Sequence, residues 1–362
     1  MLAVKTRTAP SGIVGSVARK ERGEDHDGTG AVASTVASEA PRPAAPRAPG
    51  TAKVVIVGAG RVGTTLAYTC LVRGVGKSIA LYGRDPDRVR AEVLDLNHGL
   101  QFVPMATVVG SADIEICRGA DVVVVTAGAN AAPGQSRLEM AEANVGICRE
   151  LVPRLVEVAP SAIFLFVTNP VDVVTYAALR ISGLPRAQVF GTGTVLDSSR
   201  LRQLVAQHCA VAVQSVHAYI VGEHGDSEVP LWSSAAIGGV PLLHWSNSDL
   251  LPLDTAARAD IFRRVVRGGY EILAVKGFTN YAISLATARI IESVLYDEHQ
   301  VLPVSSLIDD FIGISDVCLS LPSVVNRNGV QHTLPVPLSA GEAVALRRSA
   351  AAVRTVVQRF GL

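Results

Sequence analysis

From Lys53 onward, short β-branched and aromatic runs alternate with longer helical stretches, and this alternation limits the possible folds more than anything else in the sequence. The runs are Val54-Val55-Ile56-Val57, Ile79-Ala80-Leu81-Tyr82, Val122-Val123-Val124-Val125 and Ile163-Phe164-Leu165-Phe166-Val167. None of them interleaves apolar with polar residues, so neither face of the sheet they build can meet water. That is the signature of parallel strands with helices over both faces. The expected class is therefore α/β, with an N-terminal doubly wound parallel sheet. After about Val195 the spacing is less regular. Apolar helices are expected over residues 260–276 and 340–360, within a second, α+β domain.

A chain of 362 residues exceeds what one small core needs, so two domains are expected. Hydrophobic residues make up 49% and charged residues 18%, which suffices for a large interior. With a formal net charge of +1 and no local basic patch, no nucleic-acid partner is expected. The longest uncharged stretch, Gln203 to Gly222, is broken by Gln207, His208, Gln214, Ser215 and His217, so no membrane span is expected. Cys70, Cys117, Cys148, Cys209 and Cys318 are scattered and form no C-x-x-C pair. They suggest neither a disulfide framework nor a metal site, and fit a reducing cytoplasm. Residues 1–50 are rich in Ala, Ser, Thr, Gly and Pro, end in a Pro-rich run and sustain no hydrophobic period, so a disordered extension is expected there. Its Arg, Ser and Ala content also suits a transit peptide, against which Glu21, Glu24, Asp25 and Asp27 argue.

Gly58-Ala59-Gly60-Arg61-Val62-Gly63 directly follows the first strand run and opens an apolar helical stretch. In that setting G-x-G-x-x-G is a dinucleotide fingerprint: Gly58 for the tight turn, Gly60 for approach of the pyrophosphate, Gly63 for close helix packing. The first domain, residues 51–191, is thus expected to be a Rossmann nucleotide-binding unit, leaving residues 192–362 for catalysis and substrate. About twenty residues further on, an NAD enzyme places a carboxylate against the ribose hydroxyls. Here the position is Gly83, followed by Arg84 and Asp85. Losing the carboxylate removes repulsion of a 2′-phosphate, and Arg84 can pair with one. NAD is the expected cofactor with NADP permitted; the alternative has Arg84 solvated and Asp85 doing the usual work.

Val221-Gly222-Glu223-His224-Gly225-Asp226-Ser227 places a histidine between glycines and acids on an expected loop. This segment resembles the active-site loop of the lactate/malate dehydrogenase family, in its bacterial allosteric L-lactate branch. Other motifs of that family follow in order: Thr126-Ala127-Gly128-Ala129, Thr168-Asn169-Pro170-Val171-Asp172, Leu196-Asp197-Ser198-Ser199-Arg200 and Lys276-Gly277-Phe278-Thr279. The likeness runs from Lys53 to the C-terminus. It implies hydride transfer between a nicotinamide cofactor and a 2-oxo/2-hydroxy acid, pyruvate/L-lactate first. His224 would exchange the proton, Asp197 orient its imidazole and Arg200 grip the substrate carboxylate. Arg137 would close over the carbonyl, Asn169 would bond the same oxygen as His224, and Thr279 would line the pocket. Val62, Arg88, Gly128, Ala129 and Val167 would join Gly58, Gly60, Gly63, Gly83, Arg84 and Asn169 around the cofactor.

One position departs from the family pattern. Ala131 stands where lactate enzymes resemble one another in glutamine and malate enzymes in arginine. Alanine cannot pair with a second carboxylate, which disfavours malate, and it leaves room for larger 2-oxo acids. Arg202 and His217 match positions at which allosteric relatives resemble one another in holding fructose 1,6-bisphosphate between subunits, and a homotetramer is implied in the same way. A different class of reading, a nucleotide-binding protein that lost its reaction, is opposed by the simultaneous presence of His224, Asp197, Arg200, Arg137 and Asn169.

Overall fold

The computed structural model describes residues 52–129, 137–246 and 252–361; the expectations for residues 1–50 and for Ala131 lie outside them. In chain order the first half runs β1 (Lys53–Val57), α1 (Arg61–Arg73), β2 (Ser78–Tyr82), α2 (Pro86–His98), β3 (Thr107–Ser111), β4 (Val122–Val125), α3 (Arg137–Val158), β5 (Ile163–Phe166), α4 (Val171–Ser182) and β6 (Val189–Gly191). There follow α5 (Val195–Cys209) and the two-residue strands β7 (Val216–His217), β8 (Ile220–Val221), β9 (Val229–Pro230), β10 (Ala236–Ile237) and β11 (Val240–Pro241). The chain closes with α6 (Thr255–Lys276), α7 (Tyr281–Leu295), β12 (Gln300–Ile308), β13 (Val317–Asn326), β14 (Gly329–Thr333) and α8 (Ala340–Gln358).

All four apolar runs are strands of one sheet, in the order β14-β13-β12-β6-β5-β4-β1-β2-β3. β1 to β6 pair in parallel. Side chains alternate across the sheet and both faces are dry. Val54 and Ile56 pack with Leu66 and Cys70 of α1 and Ile291 of α7, whereas Val55 and Val57 pack with Val152 and Leu155 of α3 and Val174 of α4. The expected α/β class and doubly wound sheet are found.

The helices begin and end where local chemistry favours it. Asp85 caps α2 by accepting from the Arg88 N–H, with Pro86 in the first turn. Asp254 caps α6, which therefore begins at Thr255, five residues before the expected start. Ser339 and Glu342 form a capping box at the start of α8.

The two-residue strands carry too little periodicity to be seen in the sequence. β7, β10 and β11 form one small sheet, β8 and β9 another. The β12–β13 hairpin joins the main sheet antiparallel to β6 through Ser305 and Gly191. One hydrogen-bonded surface thus runs from the nucleotide-type strands to the C-terminal elements. Among the described residues all five cysteines are free and buried, and no helix is long and apolar enough to cross a membrane.

Candidate active site

The turn between β1 and α1 has the shape the fingerprint requires. Gly58 sits at φ +116°, and a β-carbon there would lie 2.7 Å from Thr126 Oγ1. At Gly63 a β-carbon would come within 1.9 Å of the Gly58 carbonyl oxygen, so only glycine lets α1 approach β1 this closely. Around Gly60, by contrast, nothing stands within 4 Å of that point. The open space lies at the N-terminus of a 13-residue helix with no acidic residue in its first turn, which suits the pyrophosphate of a dinucleotide.

Gly83 leaves β2 beside this turn, and a β-carbon on it would meet Val89 Cγ2 at 2.8 Å and Ala59 Cβ at 3.2 Å. Arg84, Asp85 and Arg88 are exposed. The Asp85 carboxylate is engaged as the α2 cap, 3.1 Å from the Arg88 amide.

Gly128, Ala129 and Val167 follow the adjacent ends of β4 and β5. Asn144 of α3 stitches them together: its Oδ1 accepts from the Ala129 N–H at 2.7 Å and its Nδ2 donates to the Asn169 carbonyl at 2.7 Å. The Asn169–Pro170 peptide is cis. Thr279 is half-buried in the connection between α6 and α7. That connection is fastened to α1 by Asn280 Nδ2 donating to Thr65 Oγ1 (2.9 Å) and by Arg61 over the Phe278 ring (4.1 Å). Ser284 Oγ donates to the carbonyl of Val62 on the same helix, at 3.4 Å.

Three consecutive residues hold the histidine loop, each on a different element. Gly222 pairs with Ser320 of β13 through two 2.9 Å backbone bonds. The Glu223 N–H donates to Ser349 Oγ of α8 at 2.8 Å, and the His224 N–H donates to Asp172 Oδ2 of α4 at 2.7 Å. The ring of His224 keeps 27% of its side-chain surface exposed, while its Nδ1 is 2.5 Å from Asp197 Oδ2. The other oxygen of Asp197 accepts from Arg200 Nη1 at 2.6 Å, and Arg200 lies alongside Gly268 and Gly269 of α6. The structure thus brings His224, Asp197 and Arg200 into one cluster. The last two sit one turn apart on α5 and face the same way. Arg137 opens α3, but its side chain lies outside the description.

Burial alone would lower the His224 pKa. The charge and hydrogen bond of Asp197, with smaller help from Asp172 and Glu228, outweigh that and raise it to about 9. Burial alone would also raise Asp197, yet the neighbouring His224 and Arg200 hold it below the usual carboxylate range. The imidazole is therefore charged at neutral pH, with Nε2 left for another partner.

Three polar residues here had no assigned role in the sequence. Asp172 is 2% exposed, and burial pushes its carboxyl up to about 6, only partly offset by the Ser305 hydroxyl and the His224 N–H. Within its motif, an acid in the first turn of a helix reads equally well as a dipole partner. Asn144 lies on an otherwise ordinary helix and had no local signal. Glu228, four residues after His224, reads as a loop acid; one of its carboxylate oxygens lies within 4.8 Å of a ring nitrogen of His224 and an oxygen of Asp197. Arg202 Nε donates to the Ala218 carbonyl at 2.8 Å, which places the helix side chain next to β7 and its exposed His217.

Comparison with known proteins identifies the family. Residues 52–191 match the family model of the lactate/malate dehydrogenase NAD binding domain, and residues 194–359 match that of the α/β C-terminal domain. The chain is 52% identical over 310 residues to an L-lactate dehydrogenase of Bifidobacterium animalis subsp. lactis (strain AD011), covering 85% of this chain and 97% of that one. It is 42% identical over 311 residues to an L-lactate dehydrogenase of Thermoanaerobacter sp. (strain X514), covering 86% and 99%. The crystal structure of the minor L-lactate dehydrogenase from Enterococcus mundtii in its ligands-bound form superposes with a TM-score of 0.82 at 36% identity, covering 85% of this chain and 98% of that chain. With both of its halves matched and its histidine, aspartate and arginine drawn together at one site, the chain belongs to the lactate/malate dehydrogenase family.

Proposed function

We propose that the chain is an L-lactate dehydrogenase, moving hydride reversibly between a nicotinamide cofactor and pyruvate or L-lactate. The observation that carries this is an imidazole and a guanidinium held by the two oxygens of one buried carboxylate, Asp197, with further N–H groups of the guanidinium left for a substrate. When bound, the nicotinamide ring supplies or accepts the hydride. His224 delivers a proton from Nε2 to the carbonyl oxygen in reduction and takes it back in oxidation. Arg200 keeps Nη1 on Asp197 and offers its remaining N–H groups to the substrate carboxylate, fixing which face of the carbonyl meets the cofactor. Asn169 bonds the carbonyl oxygen, Arg137 polarises it and Thr279 bounds the pocket. Small Ala131 leaves room for 2-oxo acids larger than pyruvate and offers no partner for the second carboxylate of oxaloacetate.

Arg202 and His217 are the proposed seat of fructose 1,6-bisphosphate, supported by the bond that draws Arg202 to the residue after His217. One matrix of initial rates tests these assignments: pyruvate, oxaloacetate, 2-oxoisocaproate and phenylpyruvate with NADH or NADPH, each with and without the bisphosphate. Pyruvate should lead, oxaloacetate should trail it by about 10²-fold or more, and the bisphosphate should raise apparent pyruvate affinity. A faster bulky substrate would replace lactate as the physiological product, and an unchanged pyruvate affinity would remove the effector.

On the cofactor, we infer that NADH and NADPH are both accepted. Gly83 has no carboxylate, and the one on Asp85 is tied to the start of α2, where it caps rather than reaches for a ribose. Arg84, exposed and next in the chain after Gly83, can then pair with a 2′-phosphate. Fluorescence titration of the substrate-free protein should find NADPH binding within about tenfold of NADH. Arg84→Ala should weaken NADPH by about tenfold and leave NADH unchanged. Equal loss for both dinucleotides would show that Arg84 does not read the phosphate.

A further inference from the structure

Behind the His224–Asp197 pair stands a second carboxyl that the reaction as described does not use. Glu228 is 6% exposed, its N–H is spent on the Gly225 carbonyl (3.2 Å), and its Oε1 finds no hydrogen-bond partner among the described residues. A side-chain oxygen of Glu228 nevertheless lies within 4.8 Å of a ring nitrogen of His224 and an oxygen of Asp197. A buried carboxylate oxygen without a donor makes ionisation costly, so the neutral acid is favoured. Burial and the negative charges of Asp197 and Asp226 push this carboxyl up to about 9, against the pull of His224 and Arg200. Another charge near the imidazole comes from Asp172 on α4, which itself feels Glu223 of the loop.

We propose that Glu228 is a positioning residue for the His224 proton: its carboxyl stays neutral at physiological pH and ionises beside the imidazolium as the solution turns alkaline, prolonging the imidazolium's life. The two groups then titrate as a pair, the loss of a proton from one strengthening the other's hold on its own. At neutral pH the arrangement also spares the substrate carboxylate a second fixed anion next to Arg200. The proposal extends the acid–base role assigned to His224, and its test is independent of turnover.

The test is proton affinity of His224 in the full-length, unliganded protein, followed by NMR of ring-¹³C-labelled histidine, the His224 signal being identified by its loss in His224→Gln. The wild-type signal should titrate near pH 9. In Glu228→Gln the midpoint should fall by about one unit, a tenfold loss of proton affinity. Glu228→Ala, which leaves no polar group to bury, should do the same, and Glu228→Asp should restore the wild-type midpoint. The alkaline limb of pyruvate reduction should move with the NMR midpoint. A purely structural side chain would change stability or kcat at every pH without moving either. Carboxyl-free variants that fold and titrate like wild type would overturn the proposal. Retained turnover in His224→Gln would instead overturn the catalytic role of the histidine and leave the NMR result standing.

Discussion

Exchange of His224 for glutamine should cut turnover in both directions by about 10³-fold, within the range expected for losing a positioned acid–base group. Glutamine keeps a polar side chain of similar reach but cannot carry the proton, while the backbone N–H that bonds Asp172 is untouched. NADH affinity and thermal stability should therefore stay near wild type. The wild-type pH profile follows from the raised pKa of about 9. Pyruvate reduction needs the imidazolium, so its rate should be flat below that pH and fall about tenfold per unit above it. Lactate oxidation needs the neutral ring, so its rate should climb over the same range and level off above it. The glutamine variant should show neither limb. Initial rates between pH 6 and 10 in both directions are the check, and a variant with wild-type turnover would remove His224 from the chemistry.

Arg200→Lys should lower kcat/KM for pyruvate by about 10²-fold, most of it as a higher KM. Lysine retains the positive charge but not the planar fork that can hold Asp197 with one nitrogen and a carboxylate with the others. Because the ammonium can sit against Asp197 or against the substrate, one partner is left short. The His224 midpoint should move only slightly, since a cation remains on α5. NADH binding, measured by fluorescence, should not change. An unaltered pyruvate KM in the lysine variant would mean that the substrate carboxylate is held elsewhere.

The parts of the fold that could be read from the sequence are those whose periodicity reports burial directly. Val54–Val57 and Val122–Val125 are apolar at every position because both faces of their sheet are covered. Helix α6 was placed but began five residues early, because the Asp254 cap, not the first apolar residue, decides where a helix starts. The two-residue strands around the histidine loop were invisible, since pairing so short is settled by tertiary contact.

Within the site, His224, Asp197 and Arg200 could be named because each falls in a motif. Asp172 and Asn144 could not be given roles, because their value depends on partners 52 and 25 residues away that only folding brings near. The cofactor ambiguity at Gly83-Arg84-Asp85 is of the same kind. The sequence leaves the aspartate open to serve a ribose, and only the folded chain shows that one of its oxygens also caps α2.

The antiparallel hairpin at the edge of β6 makes the nucleotide platform and the scaffold under the histidine loop parts of a single ribbon of backbone hydrogen bonds. A hinge across the Gly191–Ser305 seam would have to break backbone pairing, so that seam ties the separation of dinucleotide cradle and imidazole to the sheet. Whatever breathing the molecule needs to take in and let go of its ligands must come from the segments hung on that ribbon, and the ribbon itself serves as the ruler.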